Sequence, residues 1–167
     1  MGVFENSDLN SATAPTGGGY YFESNGDKPA SYEAEITRMF IRNNRGKGEM
    51  LVCETLVLES DNPGRPVGSR PSHTIVWYGK SLDVAPQNTK MLMVAAAGFS
   101  IFDPKDAKAI ADEDWNAFKN DACGEDNPCK GARIHLEVLP PAAGKSYSKI
   151  YVTPGKELSE LQKAARS

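Results

Sequence analysis

The first candidate for chemistry in this chain is a Gly-Lys-Ser triplet at residues 144–146. The same triplet ends the phosphate-binding P-loop of nucleotide hydrolases. A P-loop also needs a glycine five positions before its Gly-Lys, so that backbone N–H groups can wrap a phosphate, and a helix must follow. Leu139 occupies that glycine position here, and the residues after Ser146 alternate as a strand does. The triplet is therefore interpreted as a hairpin turn with an exposed lysine.

A second candidate is a basic and aromatic surface just after this turn. Tyr147, Lys149 and Tyr151 recur at every second position, so a strand would place them on one outward face. Arg133 and His135 occupy outward positions on the preceding strand in the same way. Aromatic rings stack on bases and cations hold phosphates, so this surface would suit a single nucleic-acid strand. Tyrosine also lines many sheets for its β-propensity alone, and that alternative stays open.

Further basic and aromatic residues extend the candidate surface. The turn "RNNRGKG" is flexible and positively charged, although a solvated surface turn would look the same. Trp77 and Tyr78 are adjacent, so only one of them can face the core. The predicted nucleic-acid-binding residues are Arg38, Arg42, Arg45, Lys47, Arg65, Arg70, Trp77, Tyr78, Arg133, Tyr147, Lys149 and Tyr151.

The sequence gives weaker indications of a metal site or of catalytic residues. Cys123 and Cys129 could join His135 in a zinc site, but they are further apart than usual zinc ligands and no fourth ligand is evident. Cys53 lies in an apolar strand and is expected in the core. The chain has 2 histidines, and neither has obvious partners for a catalytic triad. We expect no metal, no cofactor and no enzymatic activity.

Composition narrows the class of protein. The chain has 167 residues, 40% of them hydrophobic, and can bury one core. Its longest apolar run, residues 91–99, is shorter than the roughly 18 residues that span a bilayer, and no signal-peptide pattern opens the chain. The odd number of cysteines, 3, favours a reducing compartment. We expect a soluble cytoplasmic protein whose net charge of −3 argues against coating duplex DNA by charge alone.

Hydrophobic patterning predicts five strands, the first of which changes phase midway as a bulged strand does. A short buried helix and an acidic amphipathic helix, opened by Asp103 and Pro104, separate the third strand from the fourth. A short helix with Leu158 and Leu161 on one side ends the chain. The predicted strands are residues 31–42, 50–60, 72–79, 132–140 and 146–154, and the predicted helices are residues 88–99, 103–121 and 155–167.

This order of elements is the organisation of the OB-fold, a small Greek-key barrel that commonly binds oligonucleotides. We therefore predict a mainly β protein, with an OB-fold-like five-stranded barrel and a helical section between strands 3 and 4. Other small barrels and sandwiches stay open. Residues 1–19, which include "TAPTGGG", should form a flexible arm, residues 20–155 the domain, and residues 156–167 a C-terminal tail or short helix.

The chain resembles the single-stranded-DNA-binding proteins that bacteriophages encode. The resemblance rests on "YEAEITRMFIRNNRGKGEMLVCETLVLES", "VGSRPSHTIVWYG" and "KMLMVAAAGF", and covers roughly residues 30–155. It implies non-catalytic binding of single-stranded DNA with little sequence preference, in support of phage replication, recombination or repair. It also implies replication or recombination proteins as partners, no membrane contact and the host cytoplasm as location; an oligomer stays open.

Two features depart from that family. The C-terminus "LSELQKAARS" lacks the acidic tail that recruits partners, and the acidic segment of residues 103–126 exceeds what a minimal barrel needs. The main alternative is a structural or protein-interaction module, such as a virion component, which would leave residues 147–151 without a nucleic-acid ligand. A nucleotide-processing enzyme with scattered ligands is the third interpretation.

Overall fold

The computed structural model describes residues 21–143 and 148–167. The arm at residues 1–19, the Gly-Lys-Ser turn and Tyr147 lie outside the described residues. Within the described part, one antiparallel sheet has the strand order β3-β2-β1-β4-β5, which confirms a mainly β protein. The strands are β1 (Ala30–Asn44), β2 (Gly48–Ser60), β3 (Ser72–Val76), β4 (Arg133–Val138) and β5 (Ile150–Pro154). No ladder of described residues joins β3 to β5, so the sheet is not closed into a barrel.

Helices lie between β3 and β4, as predicted, and after β5. The described residues form α1 (Ala85–Ala96), α2 (Ala107–Asp112), α3 (Trp115–Ala122) and α4 (Glu160–Arg166). The helix α1 begins three residues earlier than predicted, because Pro86 is suited to a first helical turn. None of the described helices has the length and apolar character needed to cross a membrane.

The predicted acidic helix over residues 103–121 is broken into shorter pieces. Asp103 does cap its start, accepting a hydrogen bond from the backbone N–H of Lys105 at 3.0 Å. The backbone then becomes extended at Glu113, with φ of −93° and ψ of 142°. Asp114 caps the next helix, α3, through its side chain. A second capping residue inside the apolar pattern therefore divides the helix, since aspartate favours caps over helix interiors.

The predicted bulge in β1 is present. The register with β2 shifts between Ile36 and Arg38. Before the shift Tyr32 and Ile36 are buried, and after it the buried position moves to Met39. The loop before β4 supports this bend, because the side chain of Asn127 donates to the Met39 carbonyl at 3.0 Å and accepts from the Met39 N–H. The bulge thus reverses which residues of β1 point outward.

The core lies between the sheet and α1. Leu92 and Met93 of α1 are fully buried, as are Ile134 and Leu136 of β4, in the alternation that the sequence predicts. Cys53 of β2 is also buried, as expected. Burying each such aliphatic side chain contributes about 1.5 to 3 kcal/mol, so this contact fixes the position of α1 under the sheet.

The C-terminal helix α4 is attached by a polar side chain and not by leucines. Leu158 precedes α4, and Leu161 is 68% exposed. The buried residue is Gln162, which is 2% exposed. Its amide donates to the carbonyls of Ala95 at 3.1 Å and Arg133 at 2.9 Å. The helix packs where backbone groups of α1 and β4 need hydrogen-bond partners, and glutamine can supply them where leucine cannot.

Candidate nucleic-acid interface

The bulge creates an outward surface at the far end of β1, β2 and β3. Beyond it, Arg42 pairs in register with Met50, which pairs with Val76. Phe40 similarly stands opposite Val52. We call this surface the outer face, and it comprises Arg38, Phe40, Arg42, Met50, Val52, Glu54, Thr74, Val76 and Tyr78. The opposite side of the same strands carries the buried core, whereas the residues of the outer face are exposed or half-buried apart from Val52, which is 8% exposed.

Two aromatic rings of the outer face are held in defined positions. The guanidinium of Arg38 lies 4.4 Å from the centre of the Phe40 ring. The Tyr78 hydroxyl accepts a hydrogen bond from the Asn44 amide at 2.7 Å. A Cβ added at Gly48 would lie 2.8 Å from the Cβ of Tyr78, so the glycine leaves room for this tyrosine. Both rings are half-buried and present part of their surface to solvent.

The turn between β1 and β2 adds charge beside these rings. Arg45 and Lys47 are exposed there, and Gly46 has a positive φ of 71° that suits a glycine in a tight turn. Arg38 and Arg42 are exposed on the adjoining strand. None of these four cations forms an ion pair with a described residue. The end of the first hairpin is therefore a positive surface.

The Arg65 side chain holds two segments of the chain together. Its Nε donates to the Tyr21 carbonyl at 2.7 Å, and its guanidinium lies 3.0 Å from the Glu23 carboxylate. The side chain is only 12% exposed. It therefore attaches the segment before β1 to the loop before β3. Arg70, in the same loop, is exposed.

The basic side chains on the outward side of β4 contact carboxylates of the protein itself. Arg133 Nε lies 3.2 Å from the Glu35 carboxylate, an ion pair without hydrogen-bond geometry. His135 lies between two carboxylates, with Nδ1 against Glu33 and Nε2 at 3.0 Å from Glu137. Burial lowers the pKa of His135, but the hydrogen bonds to Glu137 and Glu33 outweigh this and raise it. The cations predicted on this strand are thus paired within the protein.

On β5 the predicted pairing of a cation with an aromatic ring is partly visible. The ammonium of Lys149 lies 5.5 Å from the ring centre of Tyr151. That ring also meets Phe102 edge to face, with centroids 5.9 Å apart. Tyr151 stands opposite Glu137 in the register, so this pair adjoins the carboxylates of β4. The structure therefore separates it from the positive end of the first hairpin.

Trp77 and Tyr78 point to different sides, as alternation predicts. The Trp77 indole packs against the core and donates to the Thr89 hydroxyl at 3.1 Å. The Lys119 ammonium lies 4.9 Å from its ring centre. Trp77 is thus a contact between β3 and the helices, whereas Tyr78 belongs to the outer face.

The cysteines do not assemble a metal site with the described acids and histidines. No group of three or more metal-ligating side chains occurs in the described part of the chain. Burial raises the pKa of the Cys129 thiol to about 12 and also raises that of Cys123. The thiolate that a metal requires is therefore disfavoured at Cys129.

Phe40 and Met50 are part of the outer face but are absent from the sequence-predicted set. The signal for Phe40 was available, because a bulge after Ile36 places Arg38, Phe40 and Arg42 on one side. Comparison with known protein families gives no match, and comparison with curated protein sequences gives none either.

Proposed function

We propose that this protein binds single-stranded DNA without catalysis, with the strand lying across the outer face and the β1–β2 turn. The observation that supports this most strongly is the meeting of four exposed cations with two aromatic rings on one surface. None of the cations is paired with a described carboxylate, so each is available to a phosphate. Phe40 and Tyr78 are available to stack on unpaired bases, and every base has a face that can stack. Binding should therefore show little sequence preference.

We further propose that the open sheet is an OB-fold. Its strand order supports this, since an OB-fold is a partly open five-stranded barrel, and the helical section falls between β3 and β4. The strands β3 and β5 line a common cleft, as expected where such a barrel comes close to closing. In OB-folds the surface of strands 2 and 3 and the loops after strands 1 and 4 bind oligonucleotides. The outer face and the turn with Arg45 and Lys47 occupy the first two of these places.

The distribution of charge favours binding of the DNA strand on the outer face over binding on the surface of β4 and β5. Glu33, Glu35 and Glu137 surround Arg133 and His135 on that side, so a phosphate there would have to displace a carboxylate. On the first hairpin Glu54 stands opposite Arg38 in the register, but it forms no ion pair with Arg38, so a phosphate would not have to displace it. Of the residues predicted from sequence, we infer that Arg38, Arg42, Arg45, Lys47 and Tyr78 belong to the binding surface, whereas Arg65, Trp77 and Arg133 make structural contacts. The resemblance to phage proteins supports a role in phage DNA replication, recombination or repair.

Fluorescence anisotropy with a labelled thymidine oligomer tests this function. A duplex of the same length serves as control, and both are titrated at several salt concentrations. We expect binding of the single strand with an affinity that falls steeply with salt, because neutralised phosphates release counterions. Absence of binding at micromolar protein in low salt would refute the proposal.

A further inference from the structure

The two edge strands of the sheet, β3 and β5, face a common cleft. It has a volume of about 400 Å³ next to the start of α1, where Val84 and Asn88 line it. A second space of about 540 Å³ continues it toward residues 21–26. His73 of β3 and Ile150 of β5 line both parts. We call the whole space the β3–β5 cleft.

His73 is the unusual group in this cleft. It is 6% exposed, and neither ring nitrogen has a hydrogen-bond partner among the described residues. Burial lowers its pKa to about 4, so the imidazole is neutral at neutral pH and carries one donor and one acceptor. Buried polar atoms almost always have partners, and an unpaired one destabilises the fold. The two nitrogens point in different directions, so a ligand in the cleft that pairs with one of them would remove part of that cost.

We propose that the β3–β5 cleft takes up a single unstacked base of the bound DNA strand, with His73 hydrogen-bonded to the edge of the base. This inference rests on the proposed function. Ile75 and Ile150 supply apolar walls for the faces of the base. Lys149 is exposed at the same cleft, where it can contact the adjoining phosphate.

Continuity with the outer face favours a base over other ligands. Thr74 and Val76 line the β3–β5 cleft and also line a shallow cleft of about 460 Å³ on the outer face. A strand that crosses the outer face therefore reaches the mouth of the β3–β5 cleft at β3. An added peptide strand is the alternative ligand, because among the described residues the outer edges of β3 and β5 carry no ladder beyond the single bridge of Ser72 to Tyr21, but the cations and rings of the outer face suit a nucleic-acid strand better.

The test compares His73→Leu with the unaltered protein and with Met93→Leu. Leucine fills much of the space of the imidazole without its nitrogens, so thermal stability should be unchanged or raised. Met93 of α1 is also buried but lines neither part of the cleft nor the outer face, which makes its substitution a matched control. Affinity is measured by anisotropy with a short thymidine oligomer, and base uptake by fluorescence of an oligomer carrying one 2-aminopurine.

We expect His73→Leu to bind the oligomer about two- to tenfold more weakly, the loss of one buried hydrogen bond, and Met93→Leu to bind normally. The 2-aminopurine should brighten on binding to the unaltered protein, as it leaves its stacked neighbours, and brighten less with His73→Leu. Equal affinity and equal fluorescence for His73→Leu and the unaltered protein would overturn the base site and favour a peptide along the edges of β3 and β5. If the unaltered protein binds no single strand at all, the proposed function itself fails.

Discussion

Replacing Phe40 by leucine should weaken binding of single-stranded DNA by roughly 5- to 150-fold. Phe40 lies between Arg38 and Arg42 on the outer face, and the Arg38 guanidinium is 4.4 Å from its ring centre. A base stacked on such a ring contributes about 1 to 3 kcal/mol, and about 1.4 kcal/mol corresponds to a tenfold change in affinity. Leucine keeps an apolar side chain opposite Val52 but removes the flat ring that stacks.

The assay is fluorescence anisotropy with a labelled thymidine oligomer at fixed low salt. The matched control is Phe102→Leu, the same substitution at a 55% exposed aromatic residue outside the outer face. Urea unfolding of both variants checks the fold, and a conservative exchange at a half-buried position should change the free energy of unfolding by less than about 1.5 kcal/mol. The salt dependence should stay the same in Phe40→Leu, because no phosphate contact is lost.

Two outcomes would contradict this reasoning. If Phe40→Leu unfolds normally and binds as tightly as the unaltered protein, the ring does not stack on a base. If Phe102→Leu loses as much affinity as Phe40→Leu, binding is spread over the surface and the outer face is not the site.

Further substitutions test the phosphate contacts, the C-terminal helix and the response to acid. Arg42→Ala should reduce the salt dependence of binding by about 0.7 in the slope of log affinity against log salt, and an unchanged slope would mean that Arg42 contacts no phosphate. Gln162→Leu should lower the free energy of unfolding in urea by about 1 to 3 kcal/mol or more, because buried backbone groups lose their partners, whereas Leu161→Ala at an exposed position should have little effect. Burial raises the pKa of Asp106, but hydrogen bonds from Ser100 and Arg166 outweigh this and hold it below its ordinary value. Its contribution to stability is therefore present above the ordinary carboxyl pKa and lost as the pH falls through the folded value, so Asp106→Asn should flatten the acid side of a melting-temperature profile.

The strands of this protein could be predicted from the chain because side chains alternate across a sheet. The inward residues of β4, the buried Cys53 and the bulge of β1 all follow from that period of two. The break in the acidic helix does not follow from periodicity, because the apolar spacing continues across Asp114, the residue that caps α3. Periodicity is also insufficient at Leu161, which is exposed. A periodic pattern of leucines does not reveal that α4 packs through Gln162, whose amide pairs with backbone carbonyls of α1 and β4.

The sequence by itself determined a mainly β protein, the position of its helices between β3 and β4, and a cation-rich turn after the first strand. Only the tertiary structure decided which cations are available to a ligand. Arg42 and Arg133 are equivalent as outward strand residues, but the pairing of β4 with β1 brings Arg133 to Glu35, a residue far away in the chain. The physical reason is that charge pairing acts through space. Local patterning shows which way a side chain points and cannot show which partner it meets there.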